Sequence, residues 1–147
     1  VIRAVLDTAN VLASGFAGEE VPASTPGAIV RHRRRGRFEP VVSPHIFMEL
    51  GHMFAKPYYR SRRSDAQIDA AMLVLITEAS FSVPTVGIYD VATHPEDDLV
   101  LATAVSAHVD YLVTGDKQVR RLEAIQGVSI VSPRHFLTLL EQEGSEG

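Results

Sequence analysis

The sequence predicts an α/β protein: a parallel β-sheet with helices on both faces. Three observations lead there. The runs Ile2–Leu6, Phe38–Val42, Tyr111–Thr114 and Val128–Val131 are short and almost uninterruptedly apolar, as strands buried on both faces are. Segments carrying helix-start signals, often a proline just inside a serine or threonine, alternate with them. Two of the runs end abruptly in an acid, Leu6-Asp7 and Thr114-Gly115-Asp116. Ligands in open α/β sheets bind just beyond the carboxyl ends of the strands.

Taken in order, Val11–Phe16 reads as one or two helical turns before a loop containing Gly18, Glu19 and Glu20. Thr25-Pro26 and Gly36 bracket a helix near 26–35. After the strand Phe38–Val42, Ser43-Pro44 opens a helix to about 55, which Lys56-Pro57 ends. A helix over 65–79 puts Ile68, Met72 and Leu75 on one face. Phe81–Val86 is a strand candidate weakened by Pro84. Pro95 starts a helix to about His108, a brief helical stretch follows near 117–123, and Pro133 opens the last helix. With no internal repeat and no low-complexity block, residues 1–142 form one domain and 143–147 a frayed tail.

At 147 residues the chain can bury roughly 68–70% of its unfolded surface in a single core. It contains no cysteine, which excludes disulfides, zinc fingers and thiol catalysis and suits a reducing, cytoplasmic setting. No apolar run approaches the roughly 20 residues that span a bilayer, and the N-terminus lacks a signal-peptide layout. The net charge of −4 names no partner, but nine of the fourteen Lys and Arg residues fall between positions 31 and 63. Arg31, Arg33, Arg34, Arg35 and Arg37 are therefore candidates for phosphate contacts. The competing reading is that they answer the dipole at a helix carboxyl end.

Helical geometry adds two acids to Asp7 and Asp116. In the helix from Pro95, Leu101, Ala102, Val105 and Val109 define an inward face. Asp98 falls on that face and Asp97 to its side. Glu96 and Asp97 are accounted for by the positive end of the helix dipole; an acid facing the core is not. In the helix from Pro44, Glu49 borders the stripe Ile46, Phe47, Leu50, Met53 and Phe54. Four gathered carboxylates raise one another's pKa, and a divalent cation resolves the conflict. Oxygen-only ligands favour Mg²⁺ or Mn²⁺, and two such ions give the arrangement used for in-line phosphoryl displacement. A rival cluster, His45, Glu49 and His52, lacks the second Glu-x-x-His copy that a di-iron bundle needs.

These residues together resemble the PIN domain family, specifically the VapC-like toxin components of toxin–antitoxin systems. The likeness spans nearly the whole chain. Its anchors are Val5-Leu6-Asp7-Thr8 with Asn10-Val11-Leu12, Val41-Val42-Ser43-Pro44 leading to Glu49-Leu50, Pro95-Glu96-Asp97-Asp98 with Leu101-Ala102, and Asp110 to Lys117. The resemblance implies a three-layer α/β/α sandwich around a parallel sheet and a Mg²⁺- or Mn²⁺-dependent endoribonuclease. It assigns the catalytic quartet to Asp7, Glu49, Asp98 and Asp116, with Asp7, Asp98 and Asp116 as metal ligands and Asn10 and Thr114 as polar supports. RNA is the implied substrate, an antitoxin protein the implied partner and a homodimer the implied assembly. Three departures stand out: Ala9 displaces Asn10 by one residue, His94 precedes the proline where relatives often have aspartate, and Gln118 replaces a frequent aspartate. The Ala9 insertion and Gln118 support the alternative of a catalytically silent PIN-like module that binds RNA or protein. A phosphotransfer enzyme with Asp7 as nucleophile would need a second acid at position 9, where Ala9 stands.

Overall fold

The computed structural model describes residues 1–92 and 94–146, apart from the side chains of residues 9, 10 and 144–146. Its strands are β1 (Arg3–Leu6), β2 (Glu39–Val42), β3 (Ser80–Phe81), β4 (Tyr111–Val113), β5 (Ala124–Ile125) and β6 (Val128–Val131). They form one sheet in the order β3-β2-β1-β4-β6-β5. Every neighbouring pair is parallel except β5 and β6. A π-helical segment, Thr8–Ala13, runs into α1 (Ser14–Gly18). Then come α2 (Thr25–Arg34), α3 (Pro44–Phe54), α4 (Pro57–Arg60), α5 (Asp65–Glu78), α6 (Pro95–Ser106), α7 (Lys117–Arg120) and α8 (Pro133–Glu146). The architecture is the expected three-layer α/β/α sandwich.

The apolar runs become strands because both faces are covered: Ala4, Val5, Val41, Val42, Leu112 and Val113 are all essentially buried. The expected caps form. Ser43 Oγ accepts the Ile46 N–H at 3.2 Å, and Ser64 with Gln67 closes a reciprocal capping box, which satisfies amides that a helix start otherwise leaves open. Ser24, rather than Thr25, caps α2, accepting the Gly27 N–H at 3.0 Å. Gly27 is required by a close crossing, since a Cβ there would stand 2.1 Å from the Gly18 carbonyl oxygen. Gly36 ends α2 in the left-handed region at φ 70°, where glycine avoids the steric cost of a side chain.

Four local expectations are corrected. The strand expected over Phe81–Val86 ends at Phe81. Pro84 has no N–H to give a ladder, and the Thr85 and Val86 amides donate to Ser106 Oγ at 2.9 and 3.0 Å instead. Pro57 does not merely stop α3; it is the first residue of α4. The helix from Pro95 closes at Ser106, with His108 turned to φ 52°. The short strand β5 was not foreseen; Gln126 and Gly127, both at positive φ, make the tight turn that folds it back on β6.

The strand order places a switch point in the sheet. From β1 the chain moves outward to β2 and β3 on one side, then returns to β4 on the other. The crevice at the carboxyl ends of β1 and β4 is where such a reversal leaves room for a ligand. Register fixes what stands there: Leu6 pairs with Val113, and the Asp7 amide donates to the Val113 carbonyl at 2.8 Å. Asp7 therefore lies beside Thr114, with Asp116 just beyond.

Candidate active site

Asp7 is buried at the end of β1. Its carbonyl accepts N–H groups from both Val11, at 3.1 Å, and Leu12, at 2.9 Å. The bond to Leu12 spans five residues, the spacing of a π turn. That wide turn absorbs the extra residue at Ala9: the chain bulges by one position, and Val11 and Leu12 still reach the core fully buried. The Asn10 side chain, expected as a polar support, lies outside the described residues.

Thr114 ties the two strand ends together. Its buried hydroxyl donates to Asp7 Oδ2 at 2.9 Å and accepts the Asp116 N–H at 3.1 Å. One proton and one lone pair thus fix the spacing of two acids from separate strands. Asp116 caps α7, its Oδ1 accepting the Gln118 and Val119 amides at 2.8 and 3.2 Å. Gln118, which brings no carboxylate, contributes its backbone N–H.

Asp98, expected as the third acid, and its neighbour Asp97 are placed differently. Asp98 is buried, but its Oδ1 accepts the N–H groups of Ala92 at 2.7 Å and Val91 at 3.2 Å. It fastens the loop before α6. Asp97 instead lines a small cleft with Asp7, Thr114, Leu112, Val100 and Val119. Its pKa is pushed up to about 6, first by burial, then by the neighbouring charges of Asp7 and Asp116, with Glu49 adding to the rise and His94 opposing it. Helix α6 is buried nearly all round, with Val100, Leu101, Ala102, Thr103, Ala104 and Val105 all inside. Asp98 shares a stripe with Leu101, Ala102 and Val105, but Asp97 shares an equally buried one with Val100, Leu101 and Ala104. Those residues were the available signal, and periodicity alone does not rank two buried stripes.

Glu49 is half-buried on α3, within electrostatic reach of Asp97, and its Oε2 lies 3.5 Å from His45 Nε2. His52 is exposed on the same helix. The oxygen-rich donor set suits a hard divalent cation. Among the described residues, no three acidic or histidine side chains are grouped closely enough to hold an ion by themselves. Mg²⁺ keeps several waters and takes only one or two carboxylates directly, so the looser gathering of Asp7, Asp97 and Asp116 fits it. The mutual repulsion that raises Asp97 is the charge conflict that a cation relieves.

The arginine-rich segment sits away from this cleft. The carboxyl end of α2 leads into the amino end of β2, the opposite edge of the sheet. Arg33 pairs with Glu78 and has a side chain only 8% exposed. Arg34 pairs with Glu19, and Arg31 donates to the carbonyls of Glu19 and Val21. Arg37 lies 3.4 Å from His32 Nδ1, and Arg35 is exposed. Nearer the acids, Lys117, Arg120 and Arg121 follow Asp116 directly. The density of the 31–63 cluster hid them.

A family model for the PIN domain matches residues 3–118, a span holding all the acids of the cleft. The chain belongs to the PIN domain family. PIN domains are a superfamily of nucleases, hydrolases that generally use divalent metal ions and bind nucleic acid. No curated protein matches the chain. No helix among the described residues is long and apolar enough to cross a membrane.

Proposed function

We propose that this protein is a Mg²⁺- or Mn²⁺-dependent endoribonuclease, the VapC-like toxin of a cytoplasmic toxin–antitoxin module. The observation that carries the reading is the meeting of Asp7, Asp97 and Asp116 at the switch point, braced by Thr114. In this reading Asp7, Asp97 and Asp116 hold the cation, directly or through water. When bound, the cation supplies charge stabilisation to the phosphodiester and acidifies a water molecule. Glu49, at the margin of the cleft, orients that water. Thr114 keeps Asp7 and Asp116 at a fixed separation, so the site is preorganised rather than assembled by the substrate. Asp98 acts at one remove, by fastening the loop that leads into α6. An antitoxin segment covering the acidic cleft and a homodimer complete the proposal.

The test is RNA degradation by purified protein in Mn²⁺, with Asp7→Ala and Asp97→Asn variants alongside. Cleavage by the unaltered protein that EDTA abolishes, with both variants inactive, is expected. Equal degradation by all three proteins would mean contamination and would favour the silent RNA- or protein-binding module. The scarcity of direct ligands for an ion is the observation on that module's side.

A further inference from the structure

The arginines of α2 divide into two groups. Arg33 and Arg34 are held by Glu78 and Glu19. Arg31, whose guanidinium also donates to the Glu19 and Val21 carbonyls, and Arg35 line a groove of about 530 Å³ between α2 and α8, which Arg134 lines from the other side. His32 is part of the same wall, with its pKa lowered, first by burial and then by Arg37 and Arg35. Glu141 is the one acid among the described lining residues. In a chain of net charge −4, this is a local reversal of sign.

Helix dipoles do not explain it. Arg31 belongs to the last turn of α2, where a cation is favoured by about 0.3–1 kcal/mol. Arg134 is in the first turn of α8, where the same effect opposes it. Arg134 has no ion pair among the described residues. Its position also matters: it comes just past the carboxyl end of β6, the sheet edge that carries Asp7 and Asp116, whereas Arg35 lies just before the amino end of β2. The groove therefore leads from the edge with the acids toward the opposite one. No phenylalanine, tyrosine or tryptophan is among its described lining residues, so it offers charge to phosphates and no ring for a base to stack on.

We infer that the α2–α8 groove is an exosite for the sugar–phosphate backbone of single-stranded RNA, with Arg31, Arg35 and Arg134 as its phosphate contacts. The inference rests on the ribonuclease reading for its choice of RNA, since one strand would run from the carboxylate cleft into the groove. Recognition there is indifferent to base sequence, because phosphate contacts position a strand without reading it.

The experiment measures binding of the full chain to a fluorescein-labelled oligouridylate by anisotropy, in EDTA and over a series of salt concentrations. The groove variant is Arg35→Glu with Arg134→Glu. The control, Lys56→Glu with Arg62→Glu, makes the same charge change at exposed positions outside the groove. The groove variant should bind at least tenfold more weakly. The magnitude of its salt slope should fall by about 1.4, roughly 0.7 for each phosphate of the single strand that is no longer neutralised. The control should change affinity less than threefold, and Arg35→Gln with Arg134→Gln should give an intermediate loss with an unchanged melting temperature. Equal weakening of both Glu variants, or of neither, overturns the exosite, as does equal binding of duplex RNA. Cleavage is scored separately in Mn²⁺. An active nuclease whose groove variant binds normally refutes the groove alone. An inactive protein whose groove variant loses binding refutes the nuclease reading alone.

Discussion

Adjacent carboxylates on α6 should respond in opposite ways to the same substitution. Asp97 is held up to about 6 against an ordinary value of 3.8. A shift of that size corresponds to at most about 3 kcal/mol. Asp97 is half-exposed, so solvent screening reduces the penalty to on the order of 1 kcal/mol. The sign follows from linkage. A carboxyl whose folded pKa is raised holds its proton more tightly when folded, so stability falls as pH rises from about 4 through about 6 and is level above. Asp97→Asn removes that penalty. It should raise the melting temperature of the metal-free protein at pH 7.5 by about 3 °C, given an unfolding entropy of roughly 0.3 kcal/mol/K for a chain of this length. It should change little at pH 4, and it should abolish cleavage.

Asp98→Asn behaves differently, because an amide oxygen can still accept from Val91 and Ala92; most of the activity should survive. Asp98→Ala leaves those two amides without their acceptor and should cost about 2 kcal/mol, or about 6 °C. Thermal denaturation in EDTA across pH, paired with Mn²⁺-dependent RNA cleavage, reads out all three variants. A lower melting temperature for Asp97→Asn at pH 7.5, or an inactive Asp98→Asn beside an active Asp97→Asn, would refute the assignment.

Three further outcomes are expected. Mn²⁺ at a hundredfold excess over its dissociation constant should stabilise the protein by about 2.7 kcal/mol, and in Asp7→Asn or Asp97→Asn by much less; calorimetric scans decide it, and an equal gain in all three counts against a shared site. Thr114→Val should lose about 1–3 kcal/mol, because the Asp7 carboxylate and the Asp116 amide each lose the hydrogen bond to its hydroxyl, and cleavage should drop with it. Thr114→Ser should restore both, and a Thr114→Val variant as stable and active as the parent would contradict the bracing role. Deleting Ala9 should turn the five-residue closure at Asp7 into an ordinary helical turn, with circular dichroism preserved and the melting temperature moved by no more than about 3 °C; loss of the fold would mean that the bulge itself is structural.

The layers of the fold were legible because burial on both faces writes itself into a strand as an unbroken apolar run, and because Ser-Pro and Ser-x-x-Gln leave capping signals. Asp7 and Asp116 were legible for a related reason: an acid ending such a run has only the carboxyl edge of the sheet to occupy. Asp97 was not, because α6 is buried on two adjacent stripes and an acid stands at the head of each. What separates them is the loop over 82–92, whose amides claim Asp98, and that loop has no periodicity to read. The π turn at Ala9 was half-visible: the extra residue was plain in the sequence, but its absorption depends on the Asp7 carbonyl accepting two amides at once. Clustering says little about what each arginine meets. Density along the chain does not reveal that Glu19 and Glu78 neutralise two of them, nor that Arg134, far off in sequence, stands across the groove from Arg31.

Crystals grown with Mn²⁺ and examined by anomalous scattering test the central assignment most directly. A peak is expected in the cleft between Asp7, Asp97 and Asp116, with water filling much of its coordination sphere and Asp98 still bound to the Val91 and Ala92 amides. Manganese on Asp98, or a cleft that stays free of it while RNA is still cleaved, would contradict the account.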